Sequence, residues 1–275
     1  ESIESWLEHL ADANGLTTAQ LLTATGRGRA GTRFLTLAPS PATITRLAAL
    51  ARVDEQDVYA ATLASFDGTA LDLTGLDPDD RHSYRKVAAR GWAPAHGTQI
   101  CPTCVAEDGV WRSAWRLLIV TTCSRHRSLL VARCPSCRRP FRDQRHSHLR
   151  RVGAATECGN PLGAGPTKQC HHNLTTIPIT PAGKAVLAVQ SRVDAALAGH
   201  AVTVLGQAAK PAAYLTDLRH LTTLLLHLAG QPGATQVAPW VTDLAEEADA
   251  RSGERGPRWG LRPPEQPGLR AAALA

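Results

Sequence analysis

The chain has 275 residues, a length that favours two or three small domains over one large core. Its 30 basic and 24 acidic side chains give a net charge of +6, which permits a polyanionic partner without requiring one. The sequence shows neither an apolar run of about 18 residues nor an N-terminal export signal, so no membrane span or secretion signal is visible and the cytoplasm is expected.

The first 66 residues carry the pattern of short amphipathic helices. In the first of these, apolar residues recur at helical spacing until Asn14-Gly15, a pair that typically ends a helix. Farther along, Ser40 and Pro41 supply the N-cap and first turn of a helix that a tight turn joins to a second one over residues 55–63. This outline predicts a helix-turn-helix-like segment. A helical bundle that does not touch nucleic acid fits the same pattern, because residues 1–100 hold 9 basic and 12 acidic side chains.

Residues 67–100 have a different composition, rich in Asp, Gly and Pro, with one short helical possibility at Asp79–Ala89. Such a composition is typical of irregular chain, so we expect a connector over this range. No internal repeat of helices at a fixed period is visible in the sequence.

The next region holds all seven cysteines, between Cys101 and Cys170. An odd number of cysteines in closely spaced pairs does not resemble an extracellular disulfide framework. After eighteen intervening residues, the motif Cys101-Pro-Thr-Cys104 is followed by Cys123-Ser-Arg-His126. Two intervening residues let a tight turn direct both donors at one ion, so this spacing predicts a zinc site with three cysteine ligands and one histidine ligand.

A second pair, Cys134-Pro-Ser-Cys137, starts eight residues after His126, and Cys158 and Cys170 remain to complete a second site. His171 or His172 could replace Cys170 as the last donor. We therefore predict a tandem zinc-ribbon module over residues 101–175 with two structural Zn2+ ions, since four strong ligands leave no open position for catalysis. Free buried cysteines are the competing interpretation.

Between the two halves of the first site, the segment Glu107–Leu118 has the spacing of an amphipathic helix. Trp111 and Trp115 fall on one face, and we expect them to pack against the ribbon as core residues. Arg112 and Arg116 fall on a neighbouring face.

Positive charge is concentrated on the metal-binding region, where residues 101–172 hold 12 basic and 4 acidic side chains. Such arginines suit phosphate contacts, which position a protein on DNA without selecting a sequence. Solvated arginine is the alternative. The candidate nucleic-acid contacts are Arg138, Arg139, Arg142, Arg145, Arg150 and Arg151.

The helical pattern returns over residues 176–230, ending at Gly230. Its second helix begins near Pro211 and places Leu218, Leu221, Leu225 and Leu228 on one face. His220 and His227 share a face of this helix, but without a thiolate or carboxylate nearby in sequence we expect surface or half-buried positions. Residues 231–275 are predicted to be a linker and the start of a truncated C-terminal region.

The overall prediction is a mainly α protein with small zinc-ribbon β elements.

Known catalytic motifs are missing from the sequence, which contains no His-Glu-x-x-His, no phosphate-binding loop and no zinc-deaminase signature. We therefore expect a protein that is not an enzyme. A nuclease whose carboxylates lie far apart in sequence is the remaining enzymatic possibility.

The order of these motifs resembles the TniQ family, related to TnsD target selectors of bacterial transposons. The resemblance rests on the opening helix, Cys-Pro-Thr-Cys-Val-Ala-Glu-Asp-Gly, Trp-Arg-Ser-Ala-Trp-Arg-Leu, Cys-Ser-Arg-His, Cys-Pro-Ser-Cys and Cys-His-His-Asn-Leu, over roughly residues 1–175. It implies a non-catalytic transposition adaptor that binds target DNA or a DNA-bound targeting complex and recruits an AAA+ ATPase regulator of the transposase. A freestanding zinc-containing DNA-binding transcription regulator is the alternative.

Overall fold

The computed structural model describes residues 1–24, 34–77, 80, 82–84, 87, 91–92, 97–142, 155–163, 168–229, 239–251 and 264–275. The chain divides into two compact units. The first contains Glu1–Leu117 and Val131–Ile179, and the second contains Leu118–Leu130 and Thr180–Ala275. The described residues are mainly helical and include two small antiparallel sheets of two strands each. The prediction of a mainly α protein with small β elements is confirmed at this level.

The first unit begins with four helices around an apolar cluster: α1 (Ile3–Ala13), α2 (Thr18–Ala24), α3 (Pro41–Ala51) and α4 (Glu55–Ala60). The backbone amide of Ser5 donates to the Ser2 hydroxyl oxygen at 3.4 Å, which caps the start of α1. The cluster is built from apolar residues of all four helices and of the chain before α3. Its buried members are Ile3, Leu7, Ala11, Leu21, Leu35, Leu47, Ala48 and Val58.

The predicted start of α3 is confirmed, with Ser40 at the N-cap and Pro41 in the first turn. The helix ends at Ala51, and its C-cap residue Arg52 has a left-handed backbone with φ 57°. After this turn, α4 is shorter than predicted and a 3-10 helix, Leu63–Phe66, follows it.

The described part of the predicted connector packs into the first unit. Ala70, Leu71 and Trp92 are buried, and the Trp92 amide donates to the Ala70 carbonyl at 2.9 Å. Most of the predicted Asp79–Ala89 helix lies outside the described residues.

The predicted helix over Glu107–Leu118 is wrong. Instead, α5 (Pro102–Asp108) is capped by Gly109, whose φ of 67° is left-handed, and a short 3-10 helix spans Ser113–Arg116. The expectation that Trp111 and Trp115 are core residues is confirmed, since both are buried.

Two buried arginines pair with acidic residues one turn apart on α1. Arg116 Nη2 lies 2.5 Å from Glu4 Oε1, which also accepts from the Thr36 hydroxyl. Arg142 Nη2 lies 2.8 Å from Glu8 Oε2, and its guanidinium stacks 4.0 Å from the centre of the Trp111 ring. These pairs tie the N-terminal helices to the cysteine-bearing chain within the first unit.

In the second unit, the hairpin of β1 (Thr122–Cys123) and β2 (Ser128–Leu129) precedes α6 (Lys184–Leu197). A second hairpin, β3 (Val202–Val204) with β4 (Gln207–Ala209), leads to α7 (Pro211–Ala229), and two more helices follow, α8 (Trp240–Arg251) and α9 (Pro267–Leu274). None of the helices in the described ranges combines the length and apolarity needed to cross a membrane.

The predicted apolar face of α7 is only partly right, because Leu218 and Leu225 are half-buried but Leu221 and Leu228 are not. The helix buries Leu215, Thr222, Leu226 and Ala229, whereas Leu221, Leu224 and Leu228 are each more than half exposed. Helices α6 and α9 pack against α7, and this packing selects the neighbouring face. His220 and His227 are exposed, as expected.

Another buried cation lies in α9. The Arg270 guanidinium donates to the carbonyl oxygens of Leu118, Pro264 and Glu265 at 2.6–3.0 Å. Burial lowers the pKa of Arg270 to about 10, although the nearby Glu247 and Glu265 carboxylates oppose this shift. Carbonyl oxygens thus replace water around a charge in the interior.

Candidate metal centres

The structure brings together the first predicted set of donors, which we call the first cluster. The ligand atoms of Cys101, Cys104, Cys123 and His126 all lie within 4.8 Å of one another. The three cysteines are buried and His126 is partly exposed. Cys101 is the N-cap of α5, so the first helical turn places Cys104 beside it.

A tight turn explains the other half of the first cluster. Cys123 is the last residue of β1, and the short connection to β2 returns His126 to it. Cys123 Sγ and His126 Nδ1 lie 3.6 Å apart. Tetrahedral zinc with its usual bond lengths separates a sulfur and a nitrogen ligand by about 3.5 Å, so the spacing fits this ion.

The second cluster comprises Cys134, Cys137, Cys158 and Cys170, whose sulfur atoms also lie within 4.8 Å of one another. The Cys134–Cys170 and Cys137–Cys158 sulfur separations are 3.8 Å and 3.9 Å. Two thiolates on a tetrahedral zinc are separated by about 3.8 Å. Bonded disulfide sulfurs would lie about 2.05 Å apart, so the geometry fits a shared ion better than a disulfide.

Backbone hydrogen bonds place Cys158 and Cys170 on adjacent extended segments. The Gly159 amide donates to the Cys170 carbonyl at 2.8 Å, and the Cys170 amide donates to the Asn160 carbonyl at 2.7 Å. The imidazole of His171 is exposed and its Nδ1 lies 2.8 Å from a Glu157 carboxylate oxygen. The structure therefore groups Cys170, rather than His171 or His172, with the other three cysteines.

A buried amide supports the second cluster, and sequence reasoning missed it. Asn160 Nδ2 lies 3.5 Å from Cys137 Sγ and donates to the Pro140 carbonyl at 3.0 Å. Asn160 follows Cys158 by two residues, and Gly159 between them has a left-handed φ of 67°. A donor at this position stabilises a thiolate, as residues surrounding metal ligands commonly do.

The pKa values of three thiols in the second cluster are shifted, and not all in the same direction. Burial raises the pKa of Cys134 and of Cys158. Burial also acts to raise the pKa of Cys137, but hydrogen bonds, first among them the one from Asn160, outweigh it and lower that pKa overall. A divalent cation would offset the cost of burying thiolates together, since metal binding displaces their protons.

The candidate DNA contacts have different positions. Arg138 and Arg139 are exposed on the turn that carries Cys134 and Cys137, and the Arg139 guanidinium donates to the Pro161 carbonyl. Arg142 is buried against Trp111 and Glu8, so the expectation that it contacts a phosphate is wrong for this structure. Arg145, Arg150 and Arg151 lie outside the described residues.

Within the described parts of the chain, these clusters are the groups of three or more Cys, His, Asp or Glu residues that could hold a metal ion. Each offers four strong donors to one ion. Such a shell is typical of structural zinc, whereas a catalytic zinc keeps one position open for water or substrate.

Residues 1–130 match the TniQ family model. The matched range contains the first cluster and ends before Cys134, so it does not extend over the second cluster. No curated protein matches the chain.

Proposed function

We propose, because residues 1–130 match the TniQ family model, that the protein is a non-catalytic adaptor that helps select the target site in DNA transposition. It binds target DNA or a DNA-bound targeting complex and recruits an AAA+ ATPase regulator of the transposase. The family match is the observation that carries this proposal. The adaptor acts in the cytoplasm, where thiols stay reduced and available to zinc.

Two structural Zn2+ ions belong to this proposal. Cys101, Cys104, Cys123 and His126 would hold one ion, and Cys134, Cys137, Cys158 and Cys170 would hold the other. Zinc supplies folding energy in such sites, because bonds to one ion replace an extensive apolar core. The protein's own contribution is the turns that present the donors.

Arg138 and Arg139 are the described residues that we propose to contact DNA. Both are exposed on one turn, and an exposed guanidinium pairs readily with a phosphate oxygen. Arg145, Arg150 and Arg151 remain proposed contacts on their sequence pattern alone. Arg142 no longer belongs to the set, because Glu8 already pairs with its charge.

The N-terminal helices are better suited to a protein partner than to DNA. Helices α3 and α4 have the outline of a helix-turn-helix, but α4 exposes Glu55, Gln56 and Asp57 at its start. A recognition helix normally presents its N-terminal residues to base edges and phosphates. Carboxylates at this position repel phosphate, so we assign this helix pair to the ATPase partner.

The test is a retention assay with the full chain, immobilised target DNA and the ATPase regulator from the same transposon. The adaptor should retain the ATPase on DNA, and the DNA should stay intact in the presence of Mg2+. Failure to retain the ATPase, or cleavage abolished by an acidic-residue substitution, would contradict the proposal.

The arginine assignment has its own readout, the dependence of DNA affinity on salt. Each phosphate contact contributes about 0.9 to the slope of log K against log salt on duplex DNA, so R138A/R139A should reduce the slope by nearly two units. The matched control is R52A/R192A, which removes two exposed arginines elsewhere and should leave the slope unchanged. An unchanged slope in R138A/R139A would assign these residues to solvent.

The alternative is a freestanding zinc-containing DNA-binding transcription regulator, and the helix pair α3–α4 is the feature that favours it. The two functions differ in their genetic context. Transposase and ATPase genes beside this one support the adaptor, whereas an isolated gene and sequence-specific binding to its own promoter would support the regulator.

A further inference from the structure

A buried glutamine on α6 reaches the strand that carries a donor of the first cluster. Gln190 is 2% exposed, and its Oε1 accepts from the backbone amides of Thr121 at 3.0 Å and Thr122 at 3.3 Å. These two amides immediately precede Cys123. A backbone amide that is buried without an acceptor is costly, so Gln190 sets where this backbone can lie.

The same helix also holds the chain on the other side of Cys123. Gln190 Nε2 donates to Asp194 Oδ1 at 2.8 Å, and Asp194 Oδ2 accepts from the Ser124 hydroxyl. The Gln190–Asp194 pair therefore contacts the residues just before and just after Cys123 from one turn of α6. His126, three residues later, lies 3.6 Å from the Cys123 sulfur.

We propose that Gln190 and Asp194 are positioning residues for the first cluster. Resting on the zinc sites proposed above, this inference adds that α6 holds Cys123 and His126 in the geometry that zinc requires. Residues outside the ligand shell that orient the ligands typically change metal affinity by about 10–100-fold. Neither residue lies within the matched range 1–130, so the match alone does not point to them.

The chemistry of the pair distinguishes positioning from simple packing. A methionine at position 190 has nearly the shape of glutamine but cannot accept from the two amides. The double variant Q190E/D194N exchanges the carboxylate and the carboxamide, which preserves the total charge and each hydrogen bond: the introduced carboxylate accepts from the amides, and the introduced carboxamide donates to it and accepts from Ser124.

The experiment measures zinc release from the full chain to a chromophoric chelator. The wild-type protein should hold two equivalents. In Q190M, one equivalent should leave about 10–100-fold faster while the other keeps its rate, and Q190E/D194N should restore the slow release. The matched control Q207M alters an exposed glutamine on β4 and should release zinc as the wild type does.

Cobalt substitution identifies which cluster has changed, because three thiolates with one imidazole give a different visible spectrum from four thiolates. Should Q190M fail to fold, S124A tests the same link, since it removes only an exposed hydroxyl that donates to Asp194. S124A should also accelerate release from the first cluster alone.

The outcomes separate the two proposals. Two equivalents of zinc with unchanged release in Q190M and S124A, or equal acceleration at both clusters, would overturn the positioning role and leave the zinc sites standing. Fewer than two equivalents in the wild-type protein would overturn the zinc proposal and, with it, this inference.

Discussion

The ion pair between Glu4 and Arg116 gives the sharpest test of how the first unit is held together. Both side chains are almost completely buried, and their closest nitrogen and oxygen atoms lie 2.5 Å apart. Glu4→Gln keeps the size of the side chain and its ability to accept from Thr36. It removes the charge that balances the Arg116 guanidinium.

The expected magnitude follows from this burial. Removing one partner of a buried ion pair leaves an uncompensated charge in the interior and typically costs about 3–5 kcal/mol, so Glu4→Gln should lower the free energy of unfolding by that amount. Replacing both partners removes the stranded charge, so E4M/R116M should be less destabilised than E4Q. With the single variants E4M and R116M, the double variant closes a thermodynamic cycle, and the coupling energy of the pair should be about 2–3 kcal/mol.

Urea unfolding followed by tryptophan fluorescence measures the effect, because four of the six tryptophans lie in the first unit. The matched control is Asp108→Asn, which breaks a half-exposed pair with Arg112 and should cost less than about 1 kcal/mol. If E4Q lowers the free energy of unfolding as little as the control does, the reasoning from a buried ion pair is refuted.

Three further predictions test the metal centres and a close backbone contact. Removing zinc with a chelator should lower the melting temperature, because ions bound only by the folded state stabilise it; melting that does not change on zinc removal and readdition would argue against structural ions. Asn160→Leu removes the donor to Cys137 and should speed zinc release from the second cluster about 10–100-fold in the chelator assay, with the first cluster unaffected; slow release from both would disprove its role. Gly97→Ala should lower the free energy of unfolding in urea by more than about 2 kcal/mol, because the φ of Gly97 is 73° and a Cβ there would lie 2.7 Å from the Phe141 carbonyl oxygen. In the control Gly268→Ala the nearest contact of the added Cβ is 3.5 Å, so stability should change by less than about 1 kcal/mol. Equal effects of the two substitutions would refute the strain argument.

Some of the charged residues that create the charge contrast along the sequence form ion pairs inside the folded protein. The contrast between acidic residues before position 101 and basic residues after it favoured an adaptor whose regions face different partners. In the structure, Glu4 and Glu8 pair with Arg116 and Arg142, so some of that contrast stabilises the first unit instead. The exposed arginines, Arg138 and Arg139, are the better guide to a surface for DNA.

The metal donors were accessible to sequence reasoning because their spacing is a local property. Two residues between donors, as in Cys101–Cys104 and Cys134–Cys137, fit a single tight turn whatever the rest of the chain does. The helices of the N-terminal segment were accessible for a similar reason, since capping and apolar spacing act over one or two turns. Tertiary packing had to decide whether Cys170 or a neighbouring histidine faces the second cluster.

The sequence alone determined the two groups of donors, the existence of most helices and the family resemblance of the N-terminal half. Tertiary structure alone decided that Arg142 is internal, that α7 buries Thr222 and exposes Leu221, and that Gln190 holds the chain beside Cys123. The physical reason is separation along the chain: a turn needs only adjacent residues, whereas Glu8 and Arg142 are 134 positions apart and meet only after the intervening chain has folded.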